Sequence, residues 1–352
     1  MGRMKPVSLC MIVKNEEAFL DTALKSVKSV LALSDMIVVD TGSTDKTKDI
    51  ALRNGAVVHD FEWCDDFSAA RNFAADKAKN DWIFVLDADE EVIKADDDEL
   101  SELLRDTQTV GSVTGVEMTD KANNPESRIY NRKCYRYEGS IHEQITPLGD
   151  LEKRIKAVPV LIAHHGYLPE YKRVSGKLER NERLLIKALA ENPGDPYLLH
   201  QLGKSYFCSN RDLQRACSCF EEALSLEPEA GLGYVYDTVE CYCYALINTG
   251  QYEKALRLRD KYADRYWANP HFRFLSAHVY QNNGMLIEAV ECYESCIAAD
   301  VVDYKGITSH LSYYNIGVIL ECVGMTGDAV EMYKNCGDYD PATKRLAVLL
   351  NN

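Results

Sequence analysis

Positive charge is in short supply. Lys and Arg number 40 against 55 Asp and Glu, leaving a formal net charge of −15 over 352 residues. Binding along a phosphate backbone needs clustered cations that release counterions, so nucleic acid is excluded as a natural partner. Also missing is any apolar run near the roughly 20 residues that span a bilayer. The expected chain therefore has no transmembrane segment and is soluble or at most peripheral. No charged-then-apolar leader precedes Val7, and the expected compartment is the cytoplasm. There the twelve cysteines would stay reduced. Cys217, Cys219, Cys241 and Cys243 form two CxC pairs, but no second ligand set accompanies them, and they read as small buried hydrophobes.

What is present falls into two halves of different period. Val7 to Val13 reads as a buried strand, followed by a helix with Leu20, Leu24, Val27 and Leu31 on its apolar side. Met36 to Val39 is a second strand that stops at Asp40, in the run Asp40-Thr41-Gly42-Ser43-Thr44-Asp45. Its Gly, Ser and Asp predict a turn and the N-cap of a short helix ending at Gly55. Val57 and Val58 mark a third strand, Phe67 to Ala78 a helix with Ala70, Phe73, Ala74 and Ala78 inward, and Trp82 to Leu86 a fourth strand ending at Asp87. Alternating strands and helices predict an α/β, doubly wound, Rossmann-like sheet of parallel strands. Ligands of such sheets sit outside the carboxyl ends of the strands, where the acidic residues gather.

From about Asn181 the pattern is entirely helical. Small residues recur at Gly203, Cys243, Ala277 and Gly317, spaced 40, 34 and 40, and in step with them at Ala216, Ala255, Ala289 and Ala329, spaced 39, 34 and 40. Four positions beyond each alanine stands a bulky residue: Phe220, Arg259, Tyr293 and Tyr333. Only Arg259 is not aromatic. Small residues that let helices approach, with a large one filling the gap, predict stacked helical hairpins. Leu202-Gly203, Tyr206, Ala216, Phe220, Ala223 and Pro228 resemble a tetratricopeptide repeat. The expected organisation is an α/β domain over 1–167, a connecting helix over 168–194 and helical repeats over 195–352. In the connector Lys172, Arg173, Lys177, Arg180, Arg183 and Lys187 form a basic stretch. Interspersed Glu170, Glu179 and Glu182 make a solvated helix the expected reading, over a membrane contact or a substrate phosphate.

Asp87-Ala88-Asp89 is the chemical centre. Carboxylates at i and i+2 of an extended segment point to one side, directly after a buried strand. Together they can take a hydrated divalent cation, which finishes its shell with phosphate oxygens and water. Such a cation also reconciles an acidic chain with a nucleotide diphosphate. The segments Ser8-Leu9-Cys10-Met11-Ile12-Val13-Lys14-Asn15-Glu16-Glu17, Val38-Val39-Asp40-Thr41-Gly42-Ser43-Thr44-Asp45, Ala70-Arg71-Asn72 and Leu86-Asp87-Ala88-Asp89-Glu90 resemble, in this order, the family 2 glycosyltransferases, which have the GT-A fold. The resemblance spans about the first 167 residues and is unspecific as to sugar.

The resemblance implies a nucleotide-diphosphate sugar donor with a Mn2+ or Mg2+ cofactor. It implies that Val13 and the turn at Asn15 and Glu16 pack on the base, and that Asp40 accepts from base or ribose. Asp87 with Ala88 would lie near the ribose, Asp89 would ligate the metal, and Arg71 would contact the diphosphate or brace the acidic loop. Many members carry two acidic residues where this chain has Asp40-Thr41. Transfer with inversion needs a base opposite the leaving group. Glu143, in Tyr137-Glu138-Gly139-Ser140-Ile141-His142-Glu143, is the candidate, with His142 orienting it or serving in its place. Glu143 could instead only pair with Arg128 or Arg132. His164, after the apolar strand Val158 to Ala163, is the candidate further metal ligand. The acceptor is expected to be a peptide or protein, as in resembling enzymes that include some acting on a cysteine thiol, or else a saccharide. The repeats would recruit it or form a homodimer. Two readings compete: a nucleotidyltransferase, although no glycine-rich loop follows the first strand, and a non-catalytic adaptor with a relic first domain.

Overall fold

The computed structural model describes residues 6–30, 33–116, 125–165, 176–299, 301 and 306–350. Leu31, Gly166, Tyr167, Glu170, Lys172 and Arg173 lie outside them. The chain divides into two compact units, one ending at Leu184 and the other beginning at Leu185.

The first unit is built on an eight-stranded sheet ordered β3-β2-β1-β4-β7-β6-β10-β5. Its strands are β1 (Val7–Val13), β2 (Leu33–Asp40), β3 (Val57–Asp60), β4 (Trp82–Val85), β5 (Glu90–Ala95), β6 (Thr109–Val116), β7 (Glu126–Asn131) and β10 (Arg154–His164); β8 (Tyr135–Glu138) and β9 (Gln144–Pro147) form a separate ribbon. The first four predicted strands are parallel, as β1 runs with β2 and β4, and β2 with β3. The sheet as a whole is mixed, because β7 runs against β4 and β6, and β5 against β10. That corrects the wholly parallel expectation. The strand-helix alternation on which it rested stops at Leu86, and most strands beyond it follow one another without an intervening helix.

Alternation along β1 and β2 divides the core in two. Leu9, Met11, Val13, Met36 and Val38 face helices α1 (Leu20–Val30), α2 (Thr47–Arg53) and α4 (Asp97–Leu103). Cys10, Ile37 and Val39 face α3 (Phe67–Lys77) and the β8-β9 ribbon. Strands buried on both faces are apolar almost throughout, which is why the sequence pattern was so plain there.

Helix α5 (Lys177–Glu191) carries the chain across the division. The second unit is helical: α6 (Pro196–Ser209), α7 (Leu213–Ser225), α8 (Gly233–Asn248), α9 (Tyr252–Tyr266), α10 (Pro270–Asn282), α11 (Leu286–Ile297), α12 (His310–Cys322), α13 (Thr326–Lys334) and α14 (Asp340–Leu350). Asp195 and Asn269 cap helices that open with Pro196 and Pro270, where a missing N–H costs nothing. The alanines of the periodic series are all fully buried, as are Phe220, Tyr293 and Tyr333. A Cβ on Gly203 would lie 2.7 Å from the Phe220 ring, and one on Gly317 2.7 Å from Tyr333. Glycine there is a packing requirement. The twelve cysteines are free thiols; Cys217, Cys241 and Cys243 are buried as expected, whereas Cys219 is only half-buried. Among the described residues no helix is long and apolar enough to cross a membrane.

Candidate active site

Parallel strands put Val13, Asp40, Asp60 and the residues after Val85 along one edge of the sheet, since Val13 pairs with Asp40 and Asp40 with Asp60. The antiparallel strands bring other termini to that edge, with His164 beside Glu90 in the β10-β5 register. Residues from six strand ends meet there.

Its first wall is two loops stitched together. Asn15 has a left-handed backbone (φ 56°), and its N–H donates to Ser43 Oγ at 2.9 Å while its Oδ1 accepts from Thr44 N–H at 2.8 Å. Glu16 N–H donates to Thr47 Oγ1 at 2.8 Å. The Val13 carbonyl accepts from Thr41 N–H at 3.0 Å and from the Thr41 hydroxyl at 3.1 Å. Thr41 is thus a tie between β1 and β2. Asp40 is 1% exposed, and its Oδ2 accepts from Gly42 N–H at 3.1 Å and Ser43 N–H at 3.0 Å. Lys48 Nζ stands 3.5 Å from the same oxygen. Asp40 therefore builds the turn, which Gly42 permits with φ 103°. Asp45 Oδ1 accepts from Thr47 N–H at 3.0 Å at the start of α2.

The second wall is an ion-pair network around the Asp87-Ala88-Asp89 turn. Ala88 is buried. Asp87 accepts from Arg71 Nη2 at 3.0 Å and from Arg128 Nη1 at 3.1 Å, while its N–H donates to Glu90 Oε2 at 2.8 Å. Arg128 also donates to Glu90 at 2.6 Å and to Glu126 at 2.7 Å. Burial would raise the Asp87 carboxyl, but Arg71 and Arg128 prevail and hold it well below the usual range. For Glu90 burial wins, and its carboxyl is pushed up. Arg71 makes a second bond through Nε to Glu143 Oε1 and stacks on Tyr137, 5.4 Å from the ring centroid. Its Nη1 is buried with no hydrogen-bond partner among the described residues.

Arg71, from the middle of α3, thus joins the Asp87 turn to the Glu143 segment, and the partner of Glu143 is neither Arg128 nor Arg132. Arg132 instead donates to the Ala75 and Ala78 carbonyls at 2.5 and 3.0 Å. The segment is anchored where Phe67 N–H donates to the Ser140 carbonyl at 2.9 Å, and where Asn72 bonds Tyr137 N–H and C=O at 3.0 and 2.8 Å. His142 takes a left-handed backbone (φ 51°) and its carbonyl accepts from Gln144 Nε2 at 3.2 Å.

The third group is Asp89 with His164, whose Nε2 lies 3.8 Å from Asp89 Oδ1. The Asp89 carbonyl accepts from His165 N–H at 2.8 Å. The next imidazole is engaged elsewhere, as His165 Nε2 is 2.9 Å from Glu91 Oε2. Among the described residues no three His, Cys, Asp or Glu side chains form a group fit to hold an ion by themselves. One carboxylate and one imidazole is nevertheless the donor set of a protein that leaves the remaining positions to substrate oxygens and water.

Sequence reasoning singled out Val13, Asp40, Asp87, Asp89 and His164 at the strand ends, passed over Asp60 and Glu126, and gave Arg128 and Glu90 no part in holding the acidic turn. The local sign of Glu90 and Glu126 is that each opens a strand, β5 or β7, while Arg128 lies within β7.

The family model Glycosyl transferase family 2 matches residues 8–164, and Tetratricopeptide repeat matches 270–300. A TPR repeat-containing protein of Synechococcus elongatus is 33% identical over 84% of this chain and 76% of its own length. The chain belongs to the family 2 glycosyltransferases. The glycosyltransferase SunS of Bacillus subtilis is 27% identical over 59% of this chain, which spans about half (51%) of the SunS length. Among solved structures, that of MamA aligns over 49% of this chain and 95% of its own at 19% identity, with a TM-score of 0.40.

Proposed function

We propose that this glycosyltransferase is metal-dependent and inverting, and moves a sugar from a nucleotide-diphosphate donor to a peptide, protein or saccharide acceptor in the cytoplasm. The observation that carries the reading is Asp89 facing His164 across 3.8 Å, beside an Asp87 already held by two guanidinium groups. Asp89 and His164 fit a divalent cation and would hold Mn2+ or Mg2+, the imidazole favouring Mn2+. When bound, such an ion offsets the charge that develops on the departing diphosphate.

The base would rest on Val13 and the Asn15-Glu16 turn, with Asp40 keeping that turn in shape and Asp87 and Ala88 next to the ribose. Arg71 Nη1, buried and unmet, is a donor suited to an anionic oxygen. Glu143 would take the proton from the acceptor hydroxyl or thiol as that atom bonds the anomeric carbon. On the opposite face of the sugar the bond to the diphosphate breaks, and the electron pair leaves with it. Arg71 orients this carboxylate through Oε1, leaving Oε2 for the proton, in the place first assigned to His142. Stacked hairpins suit an extended peptide or a second copy of the chain, and the repeats are the natural recruiter of the acceptor.

The test is thermal stabilisation of the full chain by nucleotide sugars with and without Mn2+ or Mg2+. One nucleotide diphosphate sugar should raise the melting temperature, and only with metal. Asp89→Ala should fold, lose that shift and lose transfer. Glu143→Gln should keep the shift and lose transfer to a hydroxyl by roughly 100-fold or more, in line with general-base contributions. Wild-type turnover by folded Asp89→Ala would sink the metal assignment.

A further inference from the structure

Within the basic stretch of the connector, Arg180 is a half-buried cation for which the described residues supply no paired carboxylate. Arg183, on the exposed side of α5, forms a fork-to-fork pair with Asp65 at 2.6 and 2.9 Å. Arg180 forms none. Its guanidinium lies over the Phe67 ring, 5.2 Å from the centroid, and its remaining hydrogen bonds, at 3.3 and 3.2 Å, go to the neutral Asn181 side chain. Burial, and then Arg183, depress this guanidinium below its ordinary value, and Glu16 alone opposes them. A half-buried cation pressed by a like charge and met by one amide is undercompensated within the protein.

Its position says what compensates it. Phe67 begins α3, and its N–H holds the Ser140 carbonyl of the Glu143 segment. Arg71 stands one helical turn further on, on the same face of α3, and reaches Asp87 and Glu143. Glu16, whose field Arg180 feels, belongs to the loop stitched against the Asp40 turn. Arg180 therefore stands over the start of α3, beside the anchor of the Glu143 segment, with Glu16 of the first wall within electrostatic reach. We propose that Arg180 is a donor-binding residue that contacts the diphosphate of the nucleotide sugar. The stack on Phe67 fixes the guanidinium plane and leaves its N–H edge for phosphate oxygens, the geometry that makes arginine a bidentate phosphate ligand. This rests on the glycosyltransferase reading of the sheet edge and adds a ligand from outside the 8–164 region matched by the family model.

Calorimetric titration of the full chain in Mn2+ tests it, with uridine, thymidine and guanosine diphosphates and the matching nucleosides as probes. Arg180→Gln should weaken the bound diphosphate by roughly 10-fold or more, the worth of a charge-assisted hydrogen bond, and leave the matching nucleoside unchanged. Arg180→Met, which keeps an apolar stem on Phe67, should behave alike and serves if the glutamine variant does not fold. Arg183→Gln, which removes an already paired cation, should leave both probes within about twofold, the scale of an exposed pair. Equal losses for diphosphate and nucleoside, no loss for either, or the same loss from Arg183→Gln would overturn the assignment of Arg180 alone. Failure of every diphosphate to bind the wild-type chain would overturn the donor reading with it.

Discussion

Arg128 is 8% exposed and touches three carboxylates, Asp87, Glu90 and Glu126. Glu126 is a surface group whose pair contributes little. Arg128 is one of the two guanidinium groups that hold the Asp87 carboxyl ionised, and removing it leaves that carboxylate with Arg71 alone and Glu90, 5% exposed, without its donor. Arg128→Ala should therefore destabilise the first unit by about 3 kcal/mol, read as a lower denaturant midpoint, whereas Glu90→Gln should cost less, because its amide oxygen can still accept from Arg128 and only Asp87 N–H loses its acceptor. Similar losses from both would show that the pair of Arg128 with Asp87 adds nothing beyond the Glu90 bond. None of this was legible beforehand. Asp87, Asp89 and Asp40 stand out because each follows a buried strand, whereas Arg128 lies within β7, where a sequence gives no hint that β7 pairs antiparallel with β4. The same gap explains Glu143: its segment could be named, but Arg71 as its partner lies 72 residues away.

At the scale of elements the repeats were the more legible half, because stacking forces small and large residues into one register. Arg259, the exception in the aromatic series, shows what that register demands. Its guanidinium lies 4.7 Å from the Tyr280 ring centroid and 5.2 Å from that of Trp267, and Nε donates to Ser276 at 3.0 Å. A flat, stacked cation fills the place of a ring. Gly203→Ala tests the close approach. The new methyl gains about 1 kcal/mol of helix propensity, but Phe220 is fully buried and cannot yield, so overpacking of about 1–3 kcal/mol should win. Denaturant melts should show a net loss of roughly 1 kcal/mol, which Phe220→Leu in the same chain should reverse in sign. His278 in α10 gives a pH test. Its ring packs against Phe274, Tyr293 and Tyr244, and burial pushes it down from 6.5 to about 4. The folded state thus binds this proton later than the unfolded chain. Its contribution is complete above about pH 6.5, is lost as pH falls, and is exhausted near pH 4. Melting temperatures followed from about pH 7.5 to about pH 4, across the free histidine value of about 6.5, should fall less steeply for His278→Phe than for the wild type.

For the molecule as a whole, the expected boundary at 167/168 and the division at Leu184/Leu185 differ by one basic segment. The first half of α5 contributes Arg180 and Arg183 to the sheet unit. The sequence reading sets that segment apart as a connecting helix, yet Arg180 answers to Phe67 and Arg183 to Asp65. A helix shared in this way leaves open to experiment whether donor binding stabilises the sheet unit alone or the whole chain. The proposed site draws every ligand from residues up to Arg180, so a ligand that binds only the native state stabilises directly only what must fold to form those contacts. Scanning calorimetry of the full chain should resolve the two units as separate transitions, with Arg128→Ala lowering one and Gly203→Ala the other. Nucleoside diphosphate with Mn2+ should raise the transition that Arg128→Ala lowers and leave the other in place. A single transition that moves as a whole under all three would mean that α5 couples the units in one cooperative fold. The repeats would then report on donor occupancy as well as supply an acceptor surface.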